Sequence, residues 1–209
     1  MSKIKNIIFD LDGTLWDSRE EITKAWKNIV PNIDISTNDL NSLMGKTSSE
    51  YIEFLFPNVN KEHALELMKK CEDEEVKYLI KFGATLYKNI IQVIKDLSKS
   101  YKLFIVSNCQ AGYIESFLIH YNLSKFFIDI ECNGNTNMSK EDNIKLLMNR
   151  NNLNSSQTCY IGDTQSDYQA STKNNILFIW CKYGFGNLQQ YQLVIDSPDE
   201  IKNLIETLN

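Results

Sequence analysis

Short apolar runs alternate along the chain with longer segments that show helical periodicity. The apolar runs lie at residues 4–9, 102–106, 126–130, 158–161 and 176–180. Runs of this length and character are typical of strands that are buried on both faces, as in a parallel sheet. The helical segments between them provide the crossover connections that parallel strands require. The pattern therefore predicts an α/β fold with a doubly wound, mostly parallel sheet and a Rossmann-like core.

Residues 16–82 break this alternation. Apolar residues recur at helical spacing over residues 22–30, and two further helices are predicted over residues 48–55 and 63–80. Because no convincing strand lies in this stretch, we predict a small all-helical domain over residues 16–82, inserted after the first strand. The core then comprises residues 1–15 and 83–209, with helices predicted over residues 89–98, 111–121, 140–149, 167–173 and 199–208.

Several side chains of the insert have predicted surroundings. Trp26, Phe54 and Phe56 are expected in its core, whereas Trp16 either packs at its base or lines a cleft. The acidic run at residues 72–75 is expected to be a solvated helix face. The apolar face of the longest helix is assigned to Leu65, Met68, Val76, Leu79 and Ile80.

Composition and charge narrow the classes of function. The chain has 209 residues, of which 43% are hydrophobic, and a formal net charge of -5 without a basic stripe. That charge disfavours nucleic acid or an anionic membrane as the primary partner. The five cysteines are scattered without a Cys-x-x-Cys pair, which indicates reduced thiols in a cytoplasmic protein. The first residues do not resemble a signal peptide, and oligomeric state stays open between monomer and homodimer.

The first predicted strand ends at two carboxylates. Asp10 follows the apolar run directly, and Asp12 stands two residues later, just before Gly13. Open α/β sheets bind ligands at the carboxyl ends of their strands, and Gly13 permits a turn that brings both carboxyl groups to one pocket. Like charges at that distance raise one another's pKa unless a metal ion or a lysine offsets them. We therefore expect downstream segments to supply a lysine and the further ligands of a metal ion.

Four motifs, in order along essentially the whole chain, resemble those of the haloacid dehalogenase superfamily. They are Asp10-Leu11-Asp12-Gly13-Thr14, Ser107 at the end of an apolar run, Lys140 in Met138-Ser139-Lys140-Glu141, and Asp163 and Asp167 in Ile161-Gly162-Asp163-Thr164-Gln165-Ser166-Asp167. The resemblance implies that the first strand lies at the centre of the sheet, so that all four motifs meet at one edge. It also implies that the helical insert covers the site as a cap.

The resemblance further implies a Mg²⁺-dependent phosphatase that forms an aspartyl phosphate. Asp10 would be the nucleophile, and Asp12 would act first as general acid and then as general base. The implied Mg²⁺ ligands are Asp10, Asp12 through its backbone carbonyl, Asp163, and Asp167 in the first or second shell. The implied phosphoryl-binding groups are Ser107, Lys140 and backbone N–H groups around Gly13, Thr14 and Asn108.

The lysine motif departs from the family pattern. Many relatives follow the lysine with prolines, whereas here Lys140 precedes residues Glu141-Asp142-Asn143. Lys145 is a possible competitor for the role. Lys140 is preferred because it follows Ser139 at the predicted helix start, while Lys145 lies one turn inside the helix and is expected to face solvent.

Substrate choice is predicted to reside in the insert. Lys46, between two predicted helices, is a candidate contact for a second anionic group of a small phosphorylated metabolite. The segment Tyr183-Gly184-Phe185-Gly186 looks like the phosphoglycolate phosphatase branch of the family. The main alternative is a sugar-phosphate mutase, which shares all four motifs. A phospho-accepting receiver domain and a non-hydrolytic sensor of phosphometabolites are weaker alternatives.

Overall fold

The computed structural model describes residues 3–33 and 35–209. Its strands are β1 (Asn6–Phe9), β2 (Trp16–Asp17), β3 (Thr85–Leu86), β4 (Lys102–Ser107), β5 (Phe127–Cys132), β6 (Thr158–Gly162), β7 (Leu177–Cys181) and β8 (Leu193–Ile195). Its α-helices are α1 (Arg19–Ile29), α2 (Thr37–Asn41), α3 (Ser48–Leu55), α4 (Lys61–Phe82), α5 (Ile90–Leu97), α6 (Tyr113–His120), α7 (Asn133–Thr136), α8 (Lys140–Arg150), α9 (Gln165–Lys173) and α10 (Glu200–Leu208).

Six strands form one sheet in the order β5-β4-β1-β6-β7-β8, and every neighbouring pair runs parallel. The predicted fold class, a doubly wound parallel sheet with a Rossmann-like core, is confirmed. β1 lies between β4 and β6, so the carboxyl ends of these three strands are adjacent. The edge strand β8 has three residues and was not predicted, because its apolar run is too short to stand out from the preceding loop.

Both faces of the sheet are covered, which explains why the strands are almost continuously apolar. Ile7 and Phe9 of β1 point to the core layer that also contains the helical insert, and Ile8 points to the layer beneath α8 and α9. All three side chains are fully buried. The central strand is therefore held from both sides, and the residue that follows it has a fixed position.

The helices α1 to α4 lie between β2 and β3, and we call them the helical insert. β2 and β3 pair antiparallel, Trp16 with Leu86 and Asp17 with Thr85. The expectation that residues 16–82 contain no strand is therefore wrong at Trp16–Asp17, and the short helix α2 was also not predicted. Whether the insert and the core are separate domains, divided at residues 15 and 82, stays a prediction.

The buried face of α4 differs from the predicted one. Leu65 and Ile80 are 50% and 38% exposed, and the buried positions are Ala64, Met68, Cys71, Glu72, Glu75 and Leu79. The acidic run is therefore not a solvated face throughout, since Glu72 and Glu75 point inward. Phe54 is 49% exposed, so its predicted place in the core of the insert is wrong as well. Among the described residues, no helix has both the length and the apolarity to cross a membrane.

Candidate active site

Four of the predicted site residues meet at the carboxyl ends of β1 and β6. Asp10 follows β1, Asp163 follows β6, Lys140 is the first residue of α8, and Asp167 lies in the first turn of α9. All four side chains are buried, with residue exposures of 3% or less. Charged groups are rarely buried to this extent unless they are paired or bind a ligand.

Lys140 bridges two of these carboxylates. Its Nζ donates to Oδ1 of Asp10 at 3.0 Å and to Oδ1 of Asp167 at 2.6 Å. Burial alone would lower the pKa of Lys140, but the charges of Asp10 and Asp167 outweigh burial and raise it above its ordinary value. Lys145, the alternative lysine, is exposed on α8. The preference for Lys140 therefore agrees with its placement.

Asp163 has one satisfied and one unsatisfied carboxylate oxygen. Oδ2 accepts from the backbone N–H groups of Phe185 at 2.7 Å and Gly186 at 3.3 Å. Oδ1 is buried and has no hydrogen-bond partner among the described residues. Asp10, Asp163 and Asp167 each contribute one carboxylate oxygen to a cluster, and these three oxygens lie within 4.8 Å of one another. Burial, followed by the charges of Asp167 and Asp10, raises the pKa of Asp163 well above its usual range.

Asp167 is held mainly by its own helix start. Its Oδ2 accepts from the N–H groups of Asp163 and Thr164 at 3.2 and 2.8 Å, and from Oγ1 of Thr164 at 2.7 Å. The bond from the Thr164 N–H and the reciprocal bond from the Asp167 N–H to Thr164 Oγ1, at 3.3 Å, form the capping box of α9. Its Oδ1 accepts from Lys140, as described above. The Asp167 carboxylate thus positions Lys140 and caps the start of α9. Its role as a metal ligand stays a prediction.

Asp10 and Asp12 have different surroundings. Burial and the nearby charge of Asp167 raise the pKa of Asp10 to about 6, although Lys140 lowers it. Asp12 Oδ1 accepts from Ser18 Oγ at 2.5 Å and from the Tyr113 hydroxyl at 2.9 Å. Burial raises the pKa of Asp12 to about 7, against the lowering effect of the Ser18 hydrogen bond. One carboxylate therefore faces a lysine, and the other faces two hydroxyl groups.

Sequence reasoning missed both hydroxyl groups that hold Asp12. The sequence pattern does not connect Ser18 with Asp12, and Tyr113 lies within the helix predicted over residues 111–121. The two residues also contact each other, with the Tyr113 hydroxyl 2.7 Å from Ser18 Oγ. A serine six residues after Asp12 can be noticed in the sequence, but a tyrosine 101 residues away cannot be assigned to it without the fold.

The turn after Asp10 requires glycine. Gly13 has a φ of +79°, and a Cβ atom there would lie 2.2 Å from Oδ2 of Asp163. The N–H groups of Gly13 and Thr14 donate inside the turn, to the carbonyls of Trp16 and Leu11. These two donors are therefore used by the turn itself, and a role of Gly13 and Thr14 in binding substrate stays a prediction.

The end of β4 touches both the cleft and the insert. Ser107 is 5% exposed and lines the cleft beside Asp10 and Asp12. Asn108 Nδ2 donates to the carbonyl of Gly45 at 2.8 Å, whereas its Oδ1 is buried without a partner among the described residues. Asn108 therefore connects the predicted phosphate-binding strand end to the insert loop that carries Lys46.

The insert forms the roof of the cleft. Lys46 is exposed and lines the cleft. The cleft is also lined by Trp26, Glu75 and Gln110. Trp26 is thus not only a core residue of the insert, as expected, because its ring also faces the cleft. Trp16, in contrast, packs edge-on against Tyr113 and Phe117 at the base of the insert. Of the two open expectations for Trp16, packing is the one observed.

The fold and the site together define a Rossmann-like α/β enzyme with a buried centre of acids and one lysine. The sequence profile of the family described as haloacid dehalogenase-like hydrolase matches residues 7–181. The chain therefore belongs to this family, and the predicted enzyme class, a hydrolase of this type, is confirmed.

Individual relatives carry different names. A 5'-nucleotidase of Pseudomonas aeruginosa is 26% identical over an alignment that covers 87% of this chain and 84% of the relative. A phosphoglycolate phosphatase of Vibrio parahaemolyticus is 21% identical over an alignment that covers 98% of this chain and 94% of the relative. Among solved structures, a predicted phosphatase from Clostridium acetobutylicum is similar with a TM-score of 0.79 and 27% identity, covering 98% of this chain and 100% of the other.

Proposed function

We propose that the protein is a Mg²⁺-dependent phosphatase of small phosphorylated metabolites that acts through an aspartyl phosphate. The observation that carries the proposal is the position of Lys140, whose ammonium group lies between Asp10 and Asp167, two acids that cluster with Asp163. Phosphoryl transfer is catalysed mainly by positioning and charge stabilisation, and this centre provides both. The relatives named as phosphatases and as a nucleotidase agree with that reaction class.

In the first step, a carboxylate oxygen of Asp10 attacks phosphorus in line with the ester bond. A new bond forms between Asp10 and phosphorus, the bond from phosphorus to the ester oxygen breaks, and the leaving oxygen takes a proton from Asp12. Lys140 keeps Asp10 ionised and ready to attack, because its positive charge lowers the pKa of that carboxyl against burial. Ser18 and Tyr113 hold the Asp12 carboxyl in position.

In the second step, a water molecule attacks the phosphorus of the aspartyl phosphate. Asp12, now ionised, accepts a proton from that water, the bond between Asp10 and phosphorus breaks, and inorganic phosphate leaves. Asp10 returns to a carboxylate and Asp12 to a protonated acid. The same two residues thus alternate roles, which is why both must lie in one cleft.

The donor set fits a hard divalent cation. Asp163 offers a buried oxygen that has no hydrogen-bond partner among residues 3–33 and 35–209, and carboxylate oxygens are the ligands that Mg²⁺ prefers. Asp10, Asp163 and the backbone carbonyl of Asp12 would hold the ion, with Asp167 beside them. When bound, Mg²⁺ neutralises negative charge on the phosphoryl group. Ser107, Asn108 and Lys140 would bind the phosphoryl oxygens, and Lys46 lines the side of the cleft where the rest of the substrate enters.

The test is phosphate release from a panel of phosphomonoesters, with Mg²⁺ and with EDTA. The panel contains 2-phosphoglycolate, a nucleoside 5'-monophosphate and hexose phosphates, and Asp10→Asn serves as the blank. We expect Mg²⁺-dependent turnover that EDTA stops and Asp10→Asn abolishes. Steady release without a bisphosphate activator would exclude the mutase alternative, and release by Asp10→Asn at the wild-type rate would remove Asp10 as the nucleophile.

Metal binding has a readout of its own. Mg²⁺ should raise the melting temperature of the wild-type protein, since a ligand that binds only the folded state stabilises it. Asp163→Asn should lose this shift, because Asp163 supplies the unsatisfied oxygen. An equal shift in both proteins would place the ion elsewhere.

A further inference from the structure

Glu75 is a buried acid in the roof of the cleft that the proposed reaction does not use. It lies on α4, is 3% exposed, and lines the same cleft as Asp10 and Asp12. Its Oε2 accepts from Trp26 Nε1 at 2.6 Å and its Oε1 from Gln110 Nε2 at 3.0 Å. Each oxygen therefore has one donor, and each retains capacity for another.

No cation pairs with Glu75 in the part of the chain that the structure describes. The ion pairs formed there do not include it, and Lys46, which also lines the cleft, is exposed to solvent. Burial raises the pKa of Glu75 to about 8, and the charge of Asp12 adds to this effect. A buried acid without a counter-ion is costly, which makes its place in a cleft a candidate binding feature.

Apolar and aromatic side chains line the same part of the cleft as Glu75. Met44, Met68 and the rings of Trp26 and Tyr51 line the cleft around Glu75, with Trp26 and Tyr51 packed edge to face at 5.7 Å. Among the polar groups of this lining, Gln110 and Ser48 already donate to Glu75 and Glu72, whereas the Glu75 oxygens can each accept a further hydrogen bond. An anionic end group placed there would face the carboxyl groups of Glu75 and Asp12, and the side-chain amide of Gln110 beside it already donates to Glu75.

We propose that Glu75, positioned by Trp26 and Gln110, selects phosphomonoesters whose alcohol part carries a hydroxyl or amino donor and rejects those that carry a second anion. This inference rests on the proposed phosphatase function and gives it a substrate class. It sets the chain apart from an enzyme that prefers phosphoglycolate, whose leaving group ends in a carboxylate. Glu75 would contact the leaving group and not the reacting phosphoryl group.

The test compares four phosphomonoesters that share a two-carbon alcohol and differ only at its end. They are 2-aminoethyl phosphate, 2-hydroxyethyl phosphate, ethyl phosphate and 2-phosphoglycolate, each also in a three-carbon version. We expect kcat/KM to be higher for the amino or hydroxyl compound than for the ethyl compound, and lowest for the carboxylate. A higher kcat/KM for the amino compound than for the hydroxyl compound identifies cationic alcohols as the substrate class. The reverse order identifies polyols.

Two variants assign the selection to Glu75. Glu75→Gln should reduce the preference for the donor compound over the carboxylate by about 10-fold or more, since a hydrogen bond to a charged group is of that size. Gln110→Lys should reduce it in the same way by placing an ammonium group beside Glu75. Glu72→Gln is the matched control, because Glu72 is a buried acid of the same helix that does not line the cleft itself and is connected to it only through the Ser48 hydroxyl.

The outcomes separate this inference from the proposed function. Turnover with the carboxylate preferred, or a preference that neither variant moves, would overturn the inference and leave the phosphatase intact. If no ester is hydrolysed beyond the Asp10→Asn blank, the phosphatase fails. Calorimetric binding of the same compounds to Asp10→Asn then decides the inference alone, with the same expected order and the same effect of the two variants. Melting curves of each variant show that it is folded.

Discussion

Nζ of Lys140 lies 3.0 Å from Oδ1 of Asp10, although 130 residues separate them along the chain. The contact exists because β1 ends, and α8 begins, at the same edge of the sheet. Lys140 is thereby the positive charge that allows Asp10 and Asp167 to be buried side by side. Its removal should affect both the chemistry and the fold.

Lys140→Met keeps the length of the side chain and deletes its charge. We expect turnover to fall by about 100-fold or more, because a buried charge that stabilises the transferring group is lost. The free energy of unfolding should fall by about 3 kcal/mol, because two buried carboxylates lose their partner. Steady-state kinetics and urea unfolding measure the two effects.

Lys145→Met is the control for this substitution. Lys145 lies on the same helix but is exposed, so its loss should change neither kcat nor the urea midpoint appreciably. Equal effects of the two substitutions would mean that kcat and stability depend on helix α8 in general and not on the ammonium group of Lys140.

Tyr113→Phe tests how Asp12 is held. The Tyr113 hydroxyl donates to Asp12 and lowers its pKa, so its removal should raise the pKa of Asp12 beyond about 7. An acid with a higher pKa keeps its proton to higher pH, and the alkaline limb of the kcat/KM profile should therefore move upward.

Tyr51→Phe is the matched control, because Tyr51 lines the same cleft but its hydroxyl contacts Met44 Sδ and not Asp12. Its profile should keep the wild-type alkaline limb. A shift of that limb to lower pH in Tyr113→Phe would contradict the role assigned to the hydroxyl.

Asp12→Asn should lower turnover by on the order of 100-fold or more, since both proton transfers lose their residue.

Glu75 should make stability depend on pH. Its pKa is raised from 4.5 to about 8 in the folded protein, so the folded state holds a proton that the unfolded state releases in this range. The contribution of this proton to stability is complete below the unfolded pKa and is lost as pH rises through the folded pKa. Glu75→Gln removes this dependence.

The measurement is urea unfolding of wild type and Glu75→Gln at pH 5 and pH 8.5, both in EDTA. The difference in unfolding free energy between the two proteins should shift by roughly 3 kcal/mol in favour of the variant at the higher pH. The other buried acids are common to both proteins and cancel. A difference that does not change with pH would show that Glu75 titrates near its ordinary pKa.

Gly13→Ala and Gly112→Ala form a matched pair. Both glycines have positive φ, +79° and +86°, so both substitutions carry backbone strain of about 1 kcal/mol. Only at Gly13 does the new Cβ collide with a site residue, at 2.2 Å from Asp163 Oδ2, whereas at Gly112 the nearest atom is 3.4 Å away. We expect Gly13→Ala alone to abolish turnover. Loss of activity in both variants would indicate strain and not the collision.

The central site was predictable because its residues sit at ends of strongly patterned elements. Asp10 and Asp163 directly follow buried strands, and Lys140 begins a helix capped by Ser139, whose hydroxyl accepts from the N–H of Asp142. In each case the local pattern fixes where the side chain must lie once the strands are parallel. The order of the strands then brings the residues together.

Glu75 could not be placed in this way, because acidic runs on helices are usually solvated. A signal was nevertheless present. Glu75 follows Ala64, Met68 and Cys71 at helical spacing and precedes Leu79, so it occupies the apolar face of α4. An acid in an apolar stripe is a stronger indication than an acid in an acidic run. The short elements β2, β3, β8, α2 and α7 were missed for a different reason, since two to five residues carry too little periodicity to detect.

The pairing of Asp17 with Thr85 has a consequence for how such a chain can change. The polypeptide leaves the core at β2 and returns at β3, and these two points are neighbours in one small ribbon. Insertions, deletions or whole exchanges between them leave Asp10 and Asp163 where the parallel sheet holds them. The residues at the strand ends and the residues of the helical insert can therefore evolve at separate rates within one gene.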